Sequence, residues 1–206
     1  GVLAQVATAF DTAYQGIIKV HEARKAAASD PTLTEAAQLM RTQDMADKVF
    51  KNAAGALDKA LANMKGGIAL IETELSQPMQ ARASHVIAQE IRSYARGLKA
   101  QGGSVMDFVR RAIESGDADT VSSVLGAQPY LSGITDDMQK VLLRMAHEKA
   151  DPVRAKRLRA MQAARDLIMD RGGLLHSQLE KAVGEAPHKV KAVRDAKSKA
   201  DKAFLL

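Results

Sequence analysis

A chain of 206 residues with no cysteine, no tryptophan, 3% aromatic residues and a net charge of +6 excludes a disulfide framework and a thiolate metal site. Alanine, leucine, lysine, arginine, glutamine and methionine dominate, which favours helix and disfavours a sandwich or barrel. Apolar runs are only a few residues, far short of the ~20 that span a bilayer. The start Gly1-Val2-Leu3-Ala4-Gln5 lacks the basic flank and apolar block of a signal peptide, so a chain without a membrane span or export leader is expected. Residues 151–206 carry 13 basic and 7 acidic side chains against 17 of each in residues 1–150, so the whole charge excess lies in the last quarter.

Leu3, Val6, Phe10, Ala13, Ile17, Val20 and Arg24 step alternately by three and four, predicting a first heptad helix that breaks at Ser29-Asp30-Pro31. Thr32 and Glu35 then have the spacing of a capping box. From Leu33 the same arithmetic runs through Ala36, Met40, Gln43, Asp47, Phe50, Ala54, Leu57, Leu61, Met64, Ile68, Ile71 and Leu75. That pattern predicts one helix of roughly 65 Å whose stripe faces a partner helix along a left-handed supercoil. The two helices read as an antiparallel hairpin with unequal arms. The second half of the longer arm, with Phe50, Leu57, Leu61, Met64, Ile68, Ile71 and Leu75, therefore needs cover from later helices or from a neighbouring subunit, and these seven residues form the expected partner seam. Gly66-Gly67 within it marks a kink, a very close backbone contact or a junction of two helices.

Ser76-Gln77-Pro78 stops the long helix and opens a third, with Met79, Ala83, Val86 or Ile87, Ile91, Tyr94 and Leu98 on its apolar face and Gly102-Gly103 at its end. Short helices follow, started by Ser104 with Asp107 and by Asp117 with Thr120, and ended by Gly116 and Gly126. Tyr130, Leu131 and Ile134 are expected to plug the core between them, and Thr135 caps the next helix. Asp151-Pro152 starts a helix carrying Leu158, Met161, Ile168, Leu175, Leu179 and Val183, interrupted at Gly172-Gly173. A last segment after Pro187 has only Val190, Val193, Ala200 and Phe204 as apolar positions. The expected fold is all-α: an extended helical bundle with a long antiparallel hairpin plus third helix over 1–101, a compact short-helix region over 102–150, and basic C-terminal helices over 151–206.

Catalytic patterns are not found. There is no phosphate loop, no GxGxxG after a strand and no GxSxG elbow. His147-Glu148-Lys149-Ala150-Asp151 departs from the HExxH zinc pattern at its fifth position. Asp117-Ala118-Asp119 lacks the remaining ligands of a calcium loop. The reading assigns no catalytic, cofactor or metal residue and expects a protein that is not an enzyme. The basic excess instead suits phosphate contacts, for which Arg154, Lys156, Arg157, Arg159, Arg165, Lys189, Lys191, Arg194, Lys197 and Lys199 are the candidates. Without aromatic stacking platforms or a recognised reading motif, any DNA contact would be independent of base sequence and steeply salt-sensitive.

The stretch Ser123-Val124-Leu125-Gly126-Ala127-Gln128-Pro129-Tyr130-Leu131-Ser132-Gly133-Ile134-Thr135 resembles segments of helical virion-associated proteins of tailed bacteriophages. The resemblance implies a ring, core or ejected internal component near the portal, contacting other virion proteins and located in the virion after assembly in the host cytoplasm. Together with the seams it leads to the expectation of a structural protein that forms helical homo-oligomeric contacts. The alternative is a cytoplasmic architectural protein that binds DNA without sequence preference through its basic C-terminal region.

Overall fold

The computed structural model describes residues 1–203, apart from the side chain of Lys99. Phe204, an apolar position expected on the last helix, lies outside them. Among the described residues the chain is all-α, with no strand. The helices are α1 (Val2–Ala28), α2 (Glu35–Leu75), α3 (His85–Ala100), α4 (Val105–Ser115), α5 (Ala118–Leu125), α6 (Asp136–Ala150), α7 (Pro152–Arg171), α8 (Leu174–Val183) and α9 (Pro187–Lys202), with a 3₁₀ turn at Pro129–Ser132 between α5 and α6. Packing gathers them into two compact units, Gly1–Gly67 with the described residues from Met161 onward, and Ile68–Ala160. α2 and α7 each contribute residues to both.

In the first unit α1 packs on α2. The Asn63 amide donates to the Gln5 amide oxygen at 2.8 Å, while Gly16 lies where an added Cβ would overlap the Val49 side chain. Rising numbers on α1 thus meet falling numbers on α2, the antiparallel hairpin the turn at Pro31 predicts. The cap differs from expectation. Thr32 donates its N–H and its hydroxyl to the Asp30 carboxylate, at 2.9 and 2.6 Å, which fixes the turn. Thr34 instead accepts the Ala37 N–H at the helix start. The two bonds from Thr32, hydroxyl first, hold the Asp30 carboxyl below its ordinary pKa.

The buried stripe of α2 also departs from the heptad. It runs Thr42, Ala46, Val49, Ala53, Leu57, Ala60, Met64, Ile68, Ile71 and Leu75, so that Thr42, Ala53, Met64 and Leu75 recur every eleven residues. An eleven-residue repeat averages about 3.67 residues per turn, close to a straight helix and not to the 3.5 of a left-handed coiled coil. Relative to the expected seam, the first half is rotated: Ala36, Asp47 and Phe50 are exposed and Met40, Gln43 and Ala54 only half-buried. Small residues explain the rotation. Ala46, Val49 and Ala53 share this hairpin with the small residues Ala9, Ala13 and Gly16 of α1, and small side chains let two helix backbones approach closely. Thr42 is tolerated in the stripe because its hydroxyl donates to the Gln38 carbonyl at 2.9 Å.

Within this unit α7 and α8 lie against the next part of the stripe, around Leu57. An added Cβ at Gly67 would meet only Cε of Met161 in α7, the movable end of a flexible side chain, so α7 lies close to α2 here without requiring that glycine. Phe50 meets His176 of α8 edge to face, with centroids 5.7 Å apart. Leu158, Met161, Ile168, Leu175, Leu179 and Val183 are all buried as the sequence spacing predicts. On α9 only Val190 is buried, with Val193 half-buried and Ala200 exposed.

The second unit is built on Ala95, Val109, Val124, Leu125, Ile134 and Leu142, all buried. Its helix starts follow the sequence: Ser104 accepts the Asp107 N–H, Asp117 the Thr120 N–H and Thr135 the Met138 N–H. Gly116 ends α4 at φ +79°, the left-handed region that favours glycine. Three expectations fail. Residues 78–82 are not helical, so α3 begins at His85 and not after Pro78. Its buried face is Ala88 and Ala95, flanked by half-buried Ile91 and Leu98, which leaves Val86, Ile87 and Tyr94 largely exposed. Tyr130 is 71% exposed and plugs nothing, whereas Ile134 is buried. The loop around Tyr130 is instead fastened by Gln139, whose amide donates to the carbonyls of Leu125 at 3.1 Å and Ala127 at 2.8 Å.

Candidate interaction surfaces

The seven residues of the expected partner seam divide in two. Leu57, Met64, Ile68, Ile71 and Leu75 are buried within the chain itself, while Leu61 is half-buried and Phe50 is 42% exposed. A groove of about 310 Å³ lies beside them, lined by Phe50, Leu57, Leu61, Ile168, Leu175 and His176. Ile168 of α7 and Leu175 and His176 of α8 line this groove opposite Leu57 and Leu61. Only Phe50 and Leu61 keep surface for a partner.

A more continuous apolar surface lies on α1. Beyond the side buried by Val6, Ala9, Ala13, Gly16 and Val20, the residues Leu3, Ala7, Phe10, Tyr14 and Ile17 alternate by four and three, which sets them along one line of the helix. Leu3 is 41% and Tyr14 62% exposed, with Phe10 and Ile17 half-buried. Sequence reasoning treated Leu3, Phe10 and Ile17 as part of the inner seam. Tyr14 was the signal it missed, since it continues the Leu3, Phe10, Ile17 line outward; α2 and α8 both pack on α1 within the chain, and Leu3 and Tyr14 stay exposed beside them.

The ten candidate phosphate contacts also separate. Five are held by carboxylates: Arg154 by Glu74 at 2.8 Å and Asp151 at 3.4 Å, Arg165 by Asp166, Lys189 by Glu185, Lys197 by Asp201, and Arg194 by Asp47 at 2.9 Å and Asp44 at 3.3 Å. Asp47, first by hydrogen bonding and then by its charge, with Asp44 beside it, holds the Arg194 guanidinium above its ordinary pKa. Asp47 also accepts from the Gln43 amide at 2.7 Å, so the two polar residues that interrupt the expected seam form the seat on which α9 docks. Lys156, Arg157, Arg159, Lys191 and Lys199 are exposed and have no carboxylate partner among the described residues.

Among the described residues no three histidine, aspartate or glutamate side chains are grouped to hold a metal ion, and no helix is long and apolar enough to cross a membrane. The Nε2 of His147 lies 3.0 Å from the Gln77 carbonyl oxygen, where it ties the segment after α2 to α6. A groove of about 580 Å³ in the second unit has apolar walls from Met79, Ile113, Val121 and Ala146, with Arg82 and Lys149 among its lining residues.

No family model, no curated protein and no solved structure matches this chain. Its functional reading rests on the surfaces just described.

Proposed function

We propose that the protein is a non-enzymatic assembly component whose copies associate through the outer apolar line of α1, and that it serves as a virion component of the ring, core or ejection type. The observation that carries the assembly reading is the exposure of Leu3 and Tyr14 in register with Phe10 and Ile17, on a helix whose opposite side is already buried. A second apolar line at heptad spacing is what a further helix packs against, and contiguous exposed apolar surface marks sites of association. A second copy supplies such a helix.

The virion assignment is supported by the resemblance at residues 123–135. In the fold this segment is the end of α5, the 3₁₀ turn and the cap of α6, a fastened surface loop that presents Tyr130. Conserved function is commonly carried on loops held by a rigid scaffold.

Light scattering on the full chain tests assembly. A wild-type mass above that of one chain that collapses to one chain in Leu3→Glu/Tyr14→Glu is the expected result, and a wild type that stays monomeric at every concentration would defeat it. Genes for portal, capsid or tail proteins beside this one support the virion role; metabolic neighbours count against it.

A further inference from the structure

We propose that the outer face of α7's first two turns, carrying Lys156, Arg157 and Arg159, binds the phosphodiester backbone of duplex DNA without regard to base sequence, and that the terminal helix α9 does not. The inference is independent of α1 pairing. It begins from the ion pairs. On α9 the three cations Lys189, Arg194 and Lys197 are each engaged by a carboxylate. The three remaining, Lys191, Lys199 and Lys202, are spread over positions 191 to 202 with Asp195 and Asp201 among them.

On α7 the balance is the reverse. Between Asp151 and Asp166 the sequence has five cations and no carboxylate. Of these five, Arg154 is turned to Glu74 and Arg165 to Asp166. The other three have no partner among the described residues. At 100° per residue Lys156 and Arg157 each lie about 130° round the helix from the midpoint of buried Ala155 and Leu158, straddling the outward direction, with Arg159 flanking Lys156. Lys156 and Arg159 are one turn apart, a like-charge spacing that destabilises an isolated helix and that nearby acids normally relieve. The free chain has no such relief here.

The spacing of these charges identifies the partner. Three cations fall within about 4.5 Å of helix rise, a compact positive patch complementary to the dense phosphate charge of duplex DNA. Two of the three are arginines, whose planar forks bind phosphate oxygens in pairs.

The test measures binding of the full chain to a labelled mixed-sequence DNA duplex across a salt series. Wild type is expected to bind with affinity falling linearly in log salt, and Lys156→Gln/Arg157→Gln/Arg159→Gln to lose about 0.9 of slope per contact, between roughly 2 and 3 in all. The charge-conserving variant Lys156→Arg/Arg157→Lys/Arg159→Lys should keep the slope, and Lys189→Gln/Lys191→Gln/Lys199→Gln should leave it unchanged. Circular dichroism on each variant verifies that helix content is intact. No wild-type binding at low salt overturns the proposal, as does a slope lost in the α9 variant and retained in the α7 variant. Displacement of DNA by poly-glutamate at equal charge concentration also overturns it, since the surface would then take any polyanion.

Discussion

Arg194 of α9 reaches Asp47 of α2 at 2.9 Å across 147 residues of sequence. Asp44, one turn earlier, meets the same nitrogen, Nη2, at 3.3 Å, so two carboxylates share one guanidinium corner. Both sides of the pair are about half-exposed, so its contribution to global stability is modest, about 0.2–1 kcal/mol. Its larger effect is local, because α9 buries only Val190 along its length and a helix of that size is marginal without docking. Arg194→Ala should therefore leave the main unfolding transition nearly unmoved, while amide exchange over residues 187–202 accelerates. Raising the ionic strength should have the same local effect on wild type.

Gly16 and Gly66 make opposite predictions for the same substitution. Gly66 has open space around it inside a continuous helix, so Gly66→Ala should stabilise by about 1 kcal/mol. Gly16 lies against Val49, a stiff β-branched side chain already buried. Gly16→Ala should destabilise by about 1–3 kcal/mol through overpacking. Urea unfolding of the two variants beside wild type measures both signs, and a stabilised Gly16→Ala would refute the close approach of α1 and α2.

The Asp117 carboxylate caps α5, and bonds from the Thr120 hydroxyl and then the Thr120 N–H lower its pKa. A lowered native pKa favours the native state above the unfolded value near 3.9, and that advantage disappears as pH falls through the native value. Asp117→Ala should cost about 0.5–2 kcal/mol at neutral pH, and the difference from wild type should shrink below about pH 4. A penalty constant from pH 7 to pH 2.5 would show that the charge is irrelevant to the cap.

Gln139 is half-buried and satisfies two carbonyls of the loop before the 3₁₀ turn. Gln139→Leu should cost about 1–3 kcal/mol, because two acceptors lose their donor. Gln139→Glu should be nearly as costly, since an ionised carboxylate cannot donate to a carbonyl. Thermal melts compare the two, with wild type as reference; an unperturbed Gln139→Glu would mean that water takes the place of the amide.

Helix type and most helix starts were legible from spacing and capping chemistry alone, as Ser104, Asp117 and Thr135 illustrate. Which face each helix buries was less so. On α2 the three-and-four count from Leu33, which takes in the bulky Met40 and Phe50, selected a face with Ala54, yet the buried line uses Thr42, Ala46, Val49 and Ala53, because packing distance and not side-chain size decides where two closely spaced helices meet. The eleven-residue recurrence of Thr42, Ala53, Met64 and Leu75 was present in the sequence and points to the right face. On α3 a preference for bulk selected Ile87 and Tyr94 in place of Ala88 and Ala95. The pairing of Arg194 with Asp44 and Asp47 was not legible at all, since no local pattern connects residues so far apart.

The cover that Met161, Ile168 and Leu175 give to α2 has a consequence in time. When Leu57 and Met64 leave the ribosome, the residues that will bury them are still about a hundred codons away, and at roughly 5–20 residues per second they arrive on the order of 5–20 s later. Residues 68–160 form a contiguous unit and can fold during that delay, whereas the first unit stays open until α7 and α8 emerge. The newly made chain therefore passes through a stage in which an apolar stripe is bare. A chaperone, or the corresponding helix of another nascent chain, has that interval in which to reach it.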